Sequence, residues 1–486
     1  MALNAPVFLF LFLPAFLLLY VFVKGNARNA VLLLFSLLFF AWSDPFYLPL
    51  ILLLCLVNYL VLGAIQRRQP DDPSRRRAFF LGVTTNVLLL LGFKLLAAYG
   101  AGWTSALQES GIPLPAWLVF LLPYSYHLPL GISFLAFQVI SMLADEFRYG
   151  DARKAKMGEV FSYLLMFPRV IAGPLTKFRV TIGEIRQRDW DWNRVEAGAR
   201  RFIVGFAKKV LIADQLALIT NGGILDVPPA RIPFGIAWLV VISYALQIYY
   251  DFSGYTDMAI GLGRMLGFRF PENFNYPYIS TSITDFWRRW HITLSNWFRE
   301  YVFYPLERRR REMPALSQSL NILIVFLLTG LWHGVTLPFI LWGLLHGLAL
   351  VVERGRFGAW LSKTWKPLQH LYALGVILLG WIFFRSPTVA YGWDLLKVLL
   401  GIMPSNRMIP YSVFPPVAST TWAAFIAGLV FSVPLPVSLK IFRDDRPAGR
   451  GVWVLWLRNL ILILMLAAGI IVQAGALYHP FIYGEF

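Results

Sequence analysis

The sequence predicts an all-α polytopic membrane protein, and three observations carry that prediction. Apolar runs of about 17–25 residues, the length that crosses a bilayer, recur along the chain. The composition is 58% hydrophobic with only 14% charged residues. The basic residues fall between the apolar runs and not on one soluble segment, as cytoplasmic loops of membrane proteins do. The formal net charge of +18 therefore reports loop placement. No nucleic-acid module accompanies it, and residues 1–486 read as one integral-membrane domain.

Taken in order, residues 7–23 cross first and end at Lys24 and Arg28. No basic residue precedes them, so the run reads as a retained span and not a cleaved leader. Residues 30–42 and 46–62 form a pair turned by Ser43-Asp44-Pro45, and the loop Arg67 to Arg77 marks the cytoplasmic side. Residues 79–99 cross outward. The return over 117–144 contains Pro123 and Pro129 and is expected to bend. Residues 161–175 are apolar but short, with basic residues on both sides, which fits a re-entrant hairpin. A crossing from about residue 210 and a return over 234–250 follow. The glycine-rich piece 260–266 is too short to span. Residues 321–331 and 337–352 pair around a histidine turn, and 371–384, 421–433 and 454–472 complete roughly 12 crossings. Cys55 lies in an apolar run and reads as a small buried hydrophobe. One cysteine builds neither an internal disulfide nor a metal site, and no metal is expected.

The stretch 282–334 stands apart. Ser282 with Asp285 has capping-box spacing. Residues 282–301 read as one amphipathic, in-plane helix with Trp287, Trp290, His291, Leu294, Trp297 and Phe298 on its apolar face. The apolar span that follows ends in Leu331-Trp332-His333-Gly334. A histidine at membrane depth is costly unless it faces protein or water, so His333 and His291 are functional candidates. His346, like His127, His370 and His479, reads as structural. A neutral imidazole can take a proton from an attacking hydroxyl, which suits acyl transfer. No Gly-x-Ser-x-Gly elbow, His-Glu-x-x-His or P-loop is present, so hydrolase, zinc-protease and ATPase readings lack support. Asp251, Asp257 and Glu272 are expected to neutralise Arg264, Arg269, Arg288 or Arg289, arginines that could otherwise hold the phosphates of an acyl-CoA.

Tyr250-Asp251-Phe252-Ser253-Gly254-Tyr255-Thr256-Asp257, Glu272-Asn273-Phe274-Asn275, Asp285-Phe286-Trp287-Arg288-Arg289-Trp290-His291 and Leu331-Trp332-His333-Gly334 resemble the membrane-bound O-acyltransferase family. The resemblance is nearest to its bacterial alginate O-acetyltransferase branch and covers nearly the whole chain. It implies tilted helices around a central tunnel in a bacterial inner membrane, with His333 as the catalytic base and His291 as its polar neighbour. Trp287, Arg288, Arg289, Trp290, Ser295, Trp332, Asp257 and Asn273 are then candidates for binding donor or substrate. No tightly bound cofactor is implied. The donor would be acetyl-CoA or another acyl thioester, and the acceptor an exported polysaccharide reached through extracytoplasmic acetyltransferase partners. The family's pattern departs at Tyr304-Pro305-Leu306-Glu307, which runs straight into Arg308–Arg311 where a glycine-rich segment is common. That leaves the acceptor open among alginate, acetylated cellulose or another glycan, and D-alanyl transfer to teichoic acid from an acyl carrier protein is the runner-up. A transporter or flippase is the alternative from another class. One spacing sits badly with the pairing of histidines: about 22 helical residues from Arg311 to His333 rise roughly 33 Å. They would carry His333 away from His291 unless the span tilts or the Ser282 segment dips inward.

Overall fold

In lipid the backbone must satisfy its own hydrogen bonds, and the apolar runs accordingly wind into helices. The computed structural model describes residues 1–109, 127–150, 154–220, 227–310, 314–404, 417–435 and 452–475. The chain divides into two compact units, one of Met1–Gly198, Leu262–Pro271 and Tyr483–Phe486, the other of Ala199–Gly261 and Glu272–Ile482.

In the first unit a π-helical turn, Phe8–Phe12, leads into α1, Leu13–Phe22, followed by α2, Asn26–Ser43, α3, Leu48–Gln66, and the 37-residue α4, Pro73–Glu109. The bent return predicted over 117–144 lies outside the described residues up to 126; its remainder is α5, Ile132–Tyr149. Arg311 and His479 also lie outside them. The short apolar run at 161–175 does not form a span. It falls on the end of α6, Met157–Leu165, and on a buried irregular stretch that leads to α7, Phe178–Arg186. Fully buried Arg169 holds that stretch in place: its guanidinium donates to Thr176 Oγ1 and to the Tyr163 carbonyl and lies 4.5 Å over the Tyr163 ring. Phe8, Phe16, Phe39 and Phe167 form the aromatic core beside it.

The second unit holds the candidate site. α8, Trp192–Ala207, continues through a π-helical turn, Lys208–Ala213, into α9, Asp214–Thr220. The predicted span at 234–250 does not stop at Tyr250. It runs on as α10, Phe234–Met265, and absorbs the glycine-rich piece that had been read separately. The physical reason is charge pairing. Asp251 lies 2.6 Å from Lys209 Nζ, and Asp257 accepts from Arg201 at 2.6 Å and from Lys208 at 2.7 Å, so carboxylates can sit inside the helix. Beyond α10 come α11, Ile283–Arg289; α12, Ile292–Phe298; α13, Tyr304–Arg309; α14, Pro314–His333; and α15, Leu337–Glu353. α16, Arg356–Leu361, α17, Lys366–Arg385, α18, Val389–Leu399, α19, Ser419–Phe431, and α20, Val452–Gly475, complete it.

α14 and α15 form a tight antiparallel hairpin. A Cβ on Gly330 would stand 2.6 Å from the Phe339 carbonyl oxygen, and one on Gly343 only 2.4 Å from that of Phe326. Small residues let membrane helices approach backbone to backbone, and here they bring His333 and Trp342 together. Among the described residues, α2, α3, α4, α10, α17 and α20 are long and apolar enough to cross a membrane, and shorter apolar helices accompany them. The protein is a multi-pass membrane protein.

Candidate active site

The segment predicted as one helix over 282–301 is broken at its centre. α11 stops at Arg289, and His291 takes a left-handed backbone, φ +42°, before α12 begins. A residue with a side chain costs about 1–3 kcal/mol in such a conformation and stays there only when its surroundings hold it. The holder is Asn273, itself 1% exposed. Its backbone carbonyl accepts from Ile292 N at 2.9 Å, and its Oδ1 accepts from Thr293 N at 3.1 Å and from Thr293 Oγ1 at 2.9 Å. The same Oδ1 lies 3.2 Å from His291 Nδ1. Because Oδ1 can only accept, Nδ1 carries the proton and the lone pair resides on Nε2. Periodicity missed this break, because a turn held by a distant amide leaves no mark on the local pattern.

Ser282 accepts from Asp285 N at 3.0 Å, as the capping spacing predicts. Asp285 then pairs with Arg289 at 2.9 Å, and the next donors at the helix start go elsewhere. Glu353, the last residue of α15, accepts from Ile283 N at 2.5 Å, Thr284 N at 2.8 Å and Thr284 Oγ1 at 2.6 Å. A carboxylate at a helix N-terminus is favoured by the unpaired N–H groups and by the dipole. Glu353 thus ties α11 to the hairpin that carries His333.

His333 ends α14, is 4% exposed, and packs among aromatic rings: Trp332 at 4.5 Å, Trp342 at 5.0 Å and Phe384 at 5.1 Å between centroids. His291 lies 6.3 Å from the Trp332 ring and 4.6 Å from Phe252. The spacing conflict is resolved: both histidines border one indole, because the inward turn at His291 brings it to the end of α14. Burial pushes the His291 imidazole down to about 3, so it is neutral at physiological pH.

The other candidates divide. Trp287 and Trp332 are buried in this aromatic group, Trp287 lying 5.9 Å from Trp342. Trp290 is 1% exposed and packs on Phe274 at 5.0 Å and Trp381 at 5.0 Å, as a core residue does. Asn273 is the hub just described. The Ser295 hydroxyl is buried and has no hydrogen-bond partner among the described residues. Arg289 is occupied by Asp285 and the Asn275 carbonyl, which leaves Arg288 exposed to solvent or ligand. Asp257 is engaged by Arg201 and Lys208, and Glu272 by Arg201; neither Arg288 nor Arg289 is among these partners. Trp342, Phe384 and Glu353 were not singled out from the sequence. The signal for Glu353 was a lone acid closing an apolar helix; Trp342 and Phe384 gave none beyond hydrophobicity.

A sequence model of MBOAT, the membrane-bound O-acyltransferase family, matches residues 152–385, the part of the chain that holds both histidines. The chain is 38% identical to "Probable alginate O-acetylase AlgI" of Azotobacter vinelandii over 401 residues, 82% of this chain and 78% of that protein. It is 32% identical to the protein of the same name from Pseudomonas putida across 100% of both chains. Against the peptidoglycan O-acetyltransferase of Helicobacter pylori it is 30% identical, over 99% of this chain and 97% of that one. With two buried histidines meeting at one indole and full-length relatives of this kind, the chain belongs to the membrane-bound O-acyltransferase family and is an O-acyltransferase.

Proposed function

We propose that the protein takes an acetyl group from a cytoplasmic thioester and passes it through a membrane tunnel for O-acetylation of an exported polysaccharide, alginate-like or other. The meeting of His333 and His291 at the Trp332 ring carries this reading. His333 is the general base. It takes the proton of the attacking hydroxyl as that oxygen bonds to the acyl carbon. The carbon–sulfur bond breaks, and the imidazolium returns the proton to the departing thiolate, so ester and free thiol are the products. His291, neutral and oriented through Asn273, presents Nε2 as the second polar group beside the reacting centre. Exposed Arg288 is suited to a phosphate of an acetyl-CoA donor. The setting is the bacterial inner membrane, with extracytoplasmic partners completing transfer to the glycan.

D-alanyl transfer from an acyl carrier protein is the second reading. Arg308 and Arg309 at the end of α13 are exposed and basic, the surface an acidic carrier would dock on. One experiment separates the two: thioester consumption by the purified protein in nanodiscs, with acetyl-CoA or D-alanyl carrier protein supplied separately and partners present. Acetyl-CoA turnover that falls about 10²–10⁴-fold in His333→Ala is the expected result. Turnover of the carrier thioester alone would move the chain to the second reading. Equal turnover in the mutant would remove His333 as the base.

A further inference from the structure

The segment that carries Asn273 is itself held from outside. Among the described residues, two that are not glycine take a left-handed backbone, Tyr276 at φ +47° and His291 at φ +42°. Both belong to one short ladder. Asn275 N donates to the Arg289 carbonyl at 2.9 Å, and Ile292 N donates to the Asn273 carbonyl at 2.9 Å. Two strands joined by so few bonds are marginal on their own, and strained residues persist only where their surroundings fix them. Phe274 supplies apolar packing, its ring 5.1 Å from that of Phe252 and 5.0 Å from that of Trp290. Such contact is non-directional and does not by itself fix the position of the Asn273 amide.

Glu272, the residue before Asn273, supplies a directed hold. Its Oε2 accepts from Arg201 Nη2 at 2.5 Å. The same Nη2 has a second hydrogen and donates to Asp257 Oδ1 at 2.6 Å, and Arg201 Nε donates to that oxygen at 2.9 Å. Lys208 donates to the other carboxylate oxygen of Asp257 at 2.7 Å. Asp257 thus aims the guanidinium at Glu272, and two cations face two carboxylates. The base beneath them is rigid. A Cβ on Gly205 of α8 would stand 2.6 Å from the Gly254 carbonyl oxygen of α10, and one on Gly254 would stand 2.8 Å from that of Gly205. The two helices therefore touch backbone to backbone. The Asp257 side chain is 6% exposed and that of Glu272 is 47% exposed, which separates their roles. The buried pair holds α8 on α10, whereas an ion pair to a half-exposed carboxylate contributes little stability. What the outer bond fixes is the place of Glu272, and with it the residue that follows.

We infer that Glu272 is a positioning residue for acyl transfer. Through its bond to Arg201 it sets the Asn273 amide, and that amide sets the turn and the tautomer of His291. The contacts run Asp257–Arg201–Glu272, then along the chain to Asn273 and on to His291, all within the second unit. The consequence for catalysis rests on the place given to His291 above; the hold on its turn does not.

The first test needs no activity: amide hydrogen exchange of the full-length protein in nanodiscs, resolved to single residues. Arg201→Ala would also strip buried Asp257 and endanger the fold, so half-exposed Glu272 is the position to change. Ile292 N and Thr293 N are the amides that donate to Asn273. Glu272→Ala is expected to speed exchange at both about 10-fold or more, with α10 and the α14–α15 hairpin as protected as in wild type. Glu272→Gln keeps an acceptor for Arg201 and should exchange nearly as wild type does. Unchanged exchange at both amides in Glu272→Ala overturns the inference, and so does faster exchange spread evenly over the second unit. Kinetics with acetyl-CoA and an alginate oligosaccharide, partners present, test the consequence. Glu272→Ala should lower kcat about 10- to 100-fold at unchanged donor KM, with most of the loss recovered in Glu272→Gln. Added to Asn273→Ala it should cost nothing further, because both act through one amide. A changed donor KM at wild-type kcat would make Arg201 a donor contact that Glu272 only neutralises, and overturns the positioning role. Faster exchange at the two amides with wild-type kcat and KM upholds the hold on the turn and removes His291 from the reaction instead.

Discussion

At the residue scale, the conformation of His291 is the feature most dependent on a single partner. Asn273→Ala removes the acceptor for Thr293 N–H, Thr293 Oγ1 and His291 Nδ1. An orphaned buried donor costs about 1–3 kcal/mol. The expected outcome is a lower melting temperature together with a loss of acyl transfer larger than the loss of fold. Asn273→Asp, which keeps the acceptor, should lose less. Protonation gives a second prediction. His291 has a pKa of about 3 in the folded chain against an ordinary 6.5. As pH falls below 6.5 the unfolded chain binds a proton that the folded chain refuses. Stability therefore declines as pH falls below 6.5. Denaturation midpoints measured against pH should show a shallower acid slope, by one proton, in His291→Asn. An unchanged slope would mean that the imidazole is protonated in the folded protein.

Among the elements, α11 is held at its start by a residue seventy positions away in sequence. Glu353→Ala removes three bonds to the first turn of α11, each from a donor to a carboxylate. Bonds to a charged group contribute about 1.5–3 kcal/mol, so acyl transfer should fall while the hairpin that contributes Glu353 stays folded. Hydrogen exchange at Ile283 and Thr284 is the direct check: protection lost there and kept over α14 is the expected pattern. The hairpin itself depends on its glycines. Gly343→Leu would drive a side chain into the Phe326 carbonyl and separate α14 from α15. It should be more damaging than Gly375→Leu on α17, where a Cβ meets nothing within 4 Å.

At the scale of the whole molecule, charges buried in the second unit make α10 one helix. Lys209 and Asp251 have side chains 4% and 2% exposed, with Asp214 completing the set at 2.7 Å from Lys209. Removing one partner of a buried pair is destabilising by about 3–5 kcal/mol. Asp251→Ala should lower the thermal midpoint in detergent more than removal of the half-exposed Asp394, whose pairing with Lys397 lies at the surface. Equal effects would mean that the buried cluster is solvated.

Much of this architecture was legible in the chain. The helical, multi-pass class followed from apolar runs set against basic loops, since a bilayer accepts little else. The histidine motifs named two residues that both border the Trp332 ring in the folded protein. Three things were decided only by tertiary structure. α10 passes through Asp251 and Asp257 because cations on another helix neutralise them, and single-segment hydropathy scores those residues as breaks. The helix read over 282–301 breaks at His291 because Asn273 outweighs the local helical preference with bonds that periodicity does not record. The rings around His346, those of Phe286, Trp287 and Trp342, belong to α11 and α15 and meet only in the folded protein. Composition and pattern determine which segments enter the membrane; which polar atoms meet there depends on contacts between segments far apart in sequence.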